Sequence, residues 1–424
     1  MITSHSLPGP DNVTRVALPN GINILVRPNF NSPTVTLNGY LHVGSLFDSE
    51  EKLGLADFAT TSLMRGTETR SFEQIYDALE TVGAHLGIAS GTHTTGFSSR
   101  ALVEDLGLVL ELLSDCLRNP IFPPDEVERL RTQLLTGLAL RAQDTGDMSS
   151  MAFDKLIFGE HPYARPDDGY PETIKTITRA DLVEFHRRCF GPKEMTIAVV
   201  GAVDPTTAIE QINAVLGNWN NPQQASLPPL PEVRQLSRTV RQHIALQGKS
   251  QTDLIVGVLG PTRLAPEYLA ASLGNSVLGQ FGMMGRIGEV VREQSGLAYY
   301  ASSSLSAGIG PGTWDVSAGV NPANLKKALE LIIVELRRFV EKGVTNEELQ
   351  DSQDNFVGRL PLSLESNAGV ANALINIERH NLGLDYYQNY EKQVRAITPE
   401  MVLAAARKYL KPDALAIATS GPDQ

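Results

Sequence analysis

The stretch 53–65, LGLADFATTSLMR, has helical spacing that puts Leu55, Phe58, Ala59 and Leu63 on one face. Asp57 and Thr61, four residues apart, share another face, with Thr60 beside them. A carboxylate and two hydroxyls can hydrogen-bond there, but neutral hydroxyls are poor donors to zinc. The eight histidines do not cluster, and neither Cys116 nor Cys189 has a nearby histidine positioned to activate it. No Gly-x-Ser-x-Gly elbow occurs, so a self-contained nucleophilic hydrolase finds no support. The glycine-rich run 273–289, LGNSVLGQFGMMGRIGE, lacks the Gly-Lys-Ser/Thr ending of a phosphate loop and reads instead as a mobile connection. Arg292 and Tyr299 stand seven apart. A guanidinium presents a fork of donors suited to peptide carbonyls, and a phenol can donate to an oxyanion. Ser295-Gly296 is expected to end the helix carrying Arg292, with Leu297 to Ser303 as a strand that brings Tyr299 back toward it.

These residues sit in a duplicated framework. A shift of 220 aligns ITRADLVEFHRRCFGPKEMTIAVVG (177 to 201) with ITPEMVLAAARKYLKPDALAIATSG (397 to 421), with seven identities in 25 gapless positions. Each copy predicts a threonine N-cap, Thr178 or Thr398, then a helix, a proline turn and an apolar strand. Residues 123–138 pair with 345–360 at a shift of 222, and 106–117 pair with 325–336 at 219. Near the start, Asn20-Gly21 between two apolar runs predicts a β-hairpin. Strands and helices that do not alternate strictly predict an α+β fold. The proline-rich segment divides the chain into expected domains at 12–218 and 236–421 with a linker at 219–235.

The composition narrows the partners. With 424 residues, 42% hydrophobic and 20% charged, the chain is long enough for two folded domains. A net charge of -12 disfavours nucleic acid and anionic membranes as partners. Two cysteines cannot build a disulfide framework, which makes a reducing cytoplasm the expected compartment. Neither a secretory leader nor a run long enough to span a membrane is apparent in the sequence.

GLADFATTSLMRGT at 54–67 resembles, in frame, the motif context of the M16 zinc metallopeptidases, the pitrilysin, insulinase and mitochondrial processing peptidase group. Gly54, Leu55, Ala56, Phe58, Gly66 and Thr67 match that context. Against the family's His-x-x-Glu-His, however, Asp57 and Thr61 replace the two histidines and Thr60 the glutamate. The third ligand would fall near Gly137, and Arg129 to Gln143 contain no carboxylate. The resemblance therefore implies no zinc in this chain. GRIGEVVREQSGLAYYASSS at 285–304 is similar to the family segment whose Arg-x6-Tyr pair reaches into the zinc site of another half, here Arg292 and Tyr299. GAHLGIASGTHTTGF resembles the family's edge strand, with Gly87 in place of its asparagine, and HPYARPDDGY a recurrent loop in which His161 reads as structural. The resemblance implies two homologous α+β domains forming half of a clamshell. The expected role is the non-zinc subunit of a heterodimeric peptidase. A zinc-bearing M16 partner would hold the metal, unfolded peptides would be the substrates, and Arg292 and Tyr299 would act in the partner's site. The alternative is an inert structural or binding protein of this fold, like the core subunits of respiratory complexes.

Overall fold

A computed structural model describes residues 7–280 and 285–423. The first half of the chain forms β1 (Thr14–Ala17), β2 (Asn23–Pro28), β3 (Thr34–Leu41), α1 (Leu55–Ser62), α2 (Phe72–Thr81), β4 (His85–Ser90), β5 (Thr95–Leu102), α3 (Leu106–Arg118), α4 (Pro124–Arg141), α5 (Thr145–Phe158), α6 (Pro171–Thr176), α7 (Arg179–Cys189), β6 (Thr196–Gly201) and α8 (Pro205–Leu216). The second half forms β7 (Val240–Ala245), β8 (Thr252–Leu259), α9 (Tyr268–Gly279), α10 (Gly285–Gly288), β9 (Ala298–Leu305), β10 (Thr313–Val320), α11 (Leu325–Lys342), α12 (Asn346–Ser363), α13 (Asn367–Arg379), α14 (Tyr386–Arg395), α15 (Pro399–Tyr409) and β11 (Ala416–Gly421). None of the described helices is long and apolar enough to cross a membrane.

The duplication is written into the topology. One sheet runs β1-β2-β6-β3-β5-β4 and the other β7-β11-β8-β10-β9. Without the extra β1, both follow one order: first, fifth, second, fourth and third strand of the repeat. In each, the first and last strands pair in parallel and the other neighbours are antiparallel. This is the expected α+β arrangement. The paired segments become paired elements, α7 with α15, β6 with β11, α4 with α12, and α3 with α11. Thr178 and Thr398 cap α7 and α15 by accepting the N–H groups of Asp181 and Met401. At the hairpin, Gly21 takes φ +97, and β1 pairs with β2 from Ala17 opposite Asn23 outward.

The compact units are not two contiguous halves. One comprises residues 1–138, 166–229 and 360–389, the other 139–165, 230–359 and 390–424. The difference from the expected 12–218 and 236–421 is an exchange of two segments, one carrying α5 and the other α13. The reason is that both sheets have two apolar faces. In the first unit, the helices that follow the strands of the first repeat cover one face, around Ile24, Leu37, Val199 and Phe58. Leu25, Ala198 and Val200 on the other face are covered by Val370, Ala371, Leu374 and Ile377 of α13. In the second unit, Leu259, Ala416 and Ala418 are covered by Ala152, Phe153 and Ile157 of α5. Residues 219–236, around the expected linker, form neither helix nor strand. The start of that stretch is tied down by Asn221, whose side-chain amide donates to the carbonyls of Arg187 and Phe190.

Candidate functional site

Helix α1 is held at its N-terminus by Asp48. Gly54 turns the chain at φ +90, and the Asp48 carboxylate accepts the N–H groups of Gly54 and Ala56, both at 2.9 Å. Leu55, Ala56, Phe58, Ala59 and Leu63 are buried in the core, as the helical spacing predicts. Thr60 is 1% exposed, and its hydroxyl shares a 3.1 Å hydrogen bond with that of Thr95 on β5. The Thr61 hydroxyl donates to the Asp57 carbonyl at 2.8 Å. Both hydroxyls are therefore spent on intramolecular bonds. Asp57 is partly buried, and burial, with Asp168 and Asp167 nearby, pushes its carboxyl up to about 6. Burial also lifts Asp48, to about 7, against the two N–H bonds that favour its anion. Gly137 lies exposed on α4, with open space where a side chain would begin.

Thr60 and Thr61 line a cleft of about 440 Å³ together with Arg65, Tyr76, His85 and the edge strand β4. The donor set does not fit zinc: one raised carboxyl, two hydroxyls already in use and a glycine. Among the described residues no group of three or more His, Cys, Asp or Glu is arranged to hold a metal ion. Cys116 and Cys189 are both buried, and burial pushes the Cys116 thiol up to about 12, which removes it as a nucleophile.

Arg292 sits in a π-turn, Glu289–Glu293, that continues α10. The Gln294 N–H reaches back five residues to the Glu289 carbonyl at 2.9 Å, while Val291 anchors the turn in the core. Gly296, at φ +62, then reverses the chain, and the Leu297 N–H closes on the Val291 carbonyl at 3.1 Å. The helix thus ends at Ser295-Gly296 as expected, though with π rather than α geometry. Strand β9 follows at the edge of its sheet. Tyr299 on β9 is 86% exposed, whereas the hydroxyl of its neighbour Tyr300 donates to Asp253 at 2.8 Å. The Arg292 guanidinium lies 3.5 Å from the Glu293 carboxylate. Among the described residues neither a hydrogen bond nor a ring contact joins Arg292 to Tyr299, which the turn places on consecutive elements.

His161 is buried, its Nδ1 accepting the Tyr163 N–H at 3.1 Å, in keeping with the structural reading. Met283 and Met284 of the glycine-rich stretch lie outside the described residues. Two charged side chains near the first sheet were not singled out from sequence. Asp48 precedes the motif context by a loop, and only the three-dimensional turn at Gly54 makes it a cap. Arg379 ends α13, which belongs to the second repeat in sequence and to the first sheet in space.

Comparison with known proteins agrees with this geometry. The family model for insulinase, peptidase family M16, matches residues 24–154, and that for the peptidase M16 inactive domain matches residues 176–356. An uncharacterized zinc protease of Mycobacterium leprae is 28% identical, covering 94% of this chain and 89% of the relative. One of Streptomyces coelicolor is 26% identical, covering 95% and 88%. The crystal structure of a peptidase M16 inactive domain from Pseudomonas fluorescens superposes with a TM-score of 0.91 at 27% identity, covering 97% of this chain and 98% of that one. A protease from Helicobacter pylori shares the fold at a TM-score of 0.90 and 19% identity, over 98% of this chain and 100% of that one. With two repeats of one topology and M16 family models matching residues 24–154 and 176–356, the chain belongs to the M16 peptidase family and is of its inactive-domain type.

Proposed function

We propose that this chain is the non-zinc subunit of a two-chain M16 peptidase, lending Arg292 and Tyr299 to peptide cleavage in a zinc-bearing partner. The observation that carries this reading is the asymmetry between the two places. At α1 the Thr60 hydroxyl is bonded to that of Thr95 and the Thr61 hydroxyl to the Asp57 carbonyl, while at the π-turn and β9 the Arg292 guanidinium has one ion pair, to Glu293, and Tyr299 is exposed. Zinc would be supplied by the partner. In this chain, Arg292 would donate to the carbonyl oxygens of an extended peptide and hold it in place. Tyr299 would donate its phenol proton to the scissile carbonyl oxygen as charge develops there. Unfolded peptides are the substrate class, and the two unpaired cysteines suit a cytoplasmic setting.

The test is co-expression with an M16 chain of similar length that has an intact His-x-x-Glu-His. A one-to-one complex on sizing chromatography, cleaving peptides that neither chain cleaves alone, is expected. Exclusive elution as separate monomers, or a complex in which this chain adds nothing to cleavage, favours the inert structural role instead.

A further inference from the structure

The face of the first sheet that α13 covers is only partly filled. Beside the helix, a cleft of about 520 Å³ opens toward the edge strand, within the range that accommodates a small ligand or several peptide residues. Its polar lining is Asn38 and Ser98 from the sheet, Asn372, Asn376 and Arg379 from α13, and His380 just beyond. The volume exists because Gly87, Ala89 and Gly96 give the floor almost no side chains. No acidic residue lines the cleft, although the chain carries 48 Asp and Glu against 36 Lys and Arg.

Arg379 is held in place without being neutralised. Its guanidinium lies 4.8 Å over the Tyr40 ring, and among the described residues it forms no ion pair. The adjacent Glu378 is committed to Arg15 through two hydrogen bonds of 2.9 and 3.0 Å. By contrast, Arg286 and Arg65, also set against aromatic rings, both have glutamate partners. The Asn38 amide donates to Asn372 Oδ1 at 2.7 Å, which leaves the Asn372 amide nitrogen without an acceptor among the described residues. The duplication supplies an internal control. At the shift of 222 that aligns the caps Asp144 and Ser366, α5 of the second unit carries Ile157 where α13 carries Arg379 and Asp154 where it carries Asn376, with Asp315 of β10 near Asp154. The fold does not require an arginine there.

We propose that this cleft is a carboxylate-binding site, with Arg379 as the charged anchor, the Asn372 amide as a second donor and the glycine-lined floor receiving the attached chain. An extended peptide is the class of ligand that fits, through either its C-terminal carboxylate or an acidic side chain. Its residues belong to the first unit and Arg292 and Tyr299 to the second, and its test uses this chain alone.

The test is calorimetric titration with three N-acetylated tetrapeptides of alanine and glycine: one with a free C-terminal carboxylate, its C-terminal amide, and an amide containing one aspartate. Binding of either acid, with at least tenfold weaker binding of the neutral amide, is expected, and the acid that binds identifies the source of the carboxylate. Arg379→Gln should remove the preference for that acid while leaving the melting temperature unchanged, and Arg379→Lys should retain part of it. Should Arg379→Gln fail to fold, Asn376→Asp serves in its place, because a carboxylate beside the guanidinium should repel the acid and spare the amide. Equal binding of all three peptides, no binding at millimolar concentration, or an acid preference that survives Arg379→Gln or, in its place, Asn376→Asp overturns the proposal.

Discussion

Tyr299 and Arg292 differ in what their loss should cost. Removing a single donor to a developing oxyanion typically lowers kcat by about 10² to 10³. Tyr299→Phe keeps the ring, and Tyr299 is 86% exposed, with no hydrogen-bonded neighbour to its hydroxyl among the described residues, so the hydroxyl is not holding the fold together. In a reconstituted complex this variant should therefore assemble normally and lose turnover on that order, with a small change in KM. Arg292→Ala also removes ground-state contacts, so KM should rise as well. Steady-state cleavage by complexes whose assembly has been confirmed by sizing decides the matter. If both variants cleave at the unmutated rate, neither side chain takes part. At this scale the sequence was informative where chemistry had been lost. Asp57, Thr60 and Thr61 could be read directly against the family motif, and in the structure the Thr60 and Thr61 hydroxyls bond to Thr95 and to the Asp57 carbonyl. Arg379 could not be read, because its importance depends on sheet residues, Asn38 and Ser98, that lie roughly 280 to 340 positions earlier in the chain.

At the scale of elements, α5 lays Asp154 against the second sheet close to Asp315 of β10. Burial, reinforced by Asp315, pushes the Asp154 carboxyl up to about 7. Burial lifts Asp315 to about 6, eased by a hydrogen bond from Thr313 Oγ1 at 2.8 Å. Both folded values lie above the ordinary 3.8, so between that value and about 7 the folded chain binds more protons than the unfolded one. Stability from this pair is full below pH 3.8 and falls as pH rises, by up to about 1.4 kcal/mol per pH unit for each proton involved. Asp154→Asn should thus be more stable than the parent at pH 8 and close to it at pH 4. Urea midpoints at the two values test this, and an equal difference at both would remove the explanation. The duplicated helices and strands were legible because their shifts of 219 to 222 survive as matching element boundaries. The π-turn was not, since an amphipathic stretch with Ile287 and Val291 inward satisfies α and π geometry alike.

For the molecule as a whole, the exchange of α5 and α13 decides what can fold alone. A chain ending at residue 218 retains β2, β6 and β3 but lacks Val370, Leu374 and Ile377, which cover Leu25, Ala198 and Val200. Each large aliphatic side chain left without burial forfeits roughly 1.5 to 3 kcal/mol, and net stability of a domain is only about 5 to 15 kcal/mol. Residues 12–218 expressed alone should therefore lack a cooperative unfolding transition and bind a hydrophobic dye. A sharp transition with full near-ultraviolet dichroism from that fragment would contradict this. The sequence pattern showed β6 as an apolar strand, yet it could not say which helices cover its two faces. Periodicity reports that a face is buried and is silent about its cover.

The reciprocal trade of helices also says something about origin. A single ancestral repeat with this topology would send the helix following its long α4-type helix away from its own sheet, leaving an apolar face that only another copy could close. Two such copies, each donating that helix to the other, make a domain-swapped dimer. This chain has the connectivity of that dimer after gene duplication and fusion, with the proline-rich segment joining the end of one copy to the start of the next. Fusion fixes the stoichiometry at one to one, and from then on the two copies can diverge. That is how one exchanged helix can carry Asn376 and Arg379 where the other carries Asp154 and Ile157.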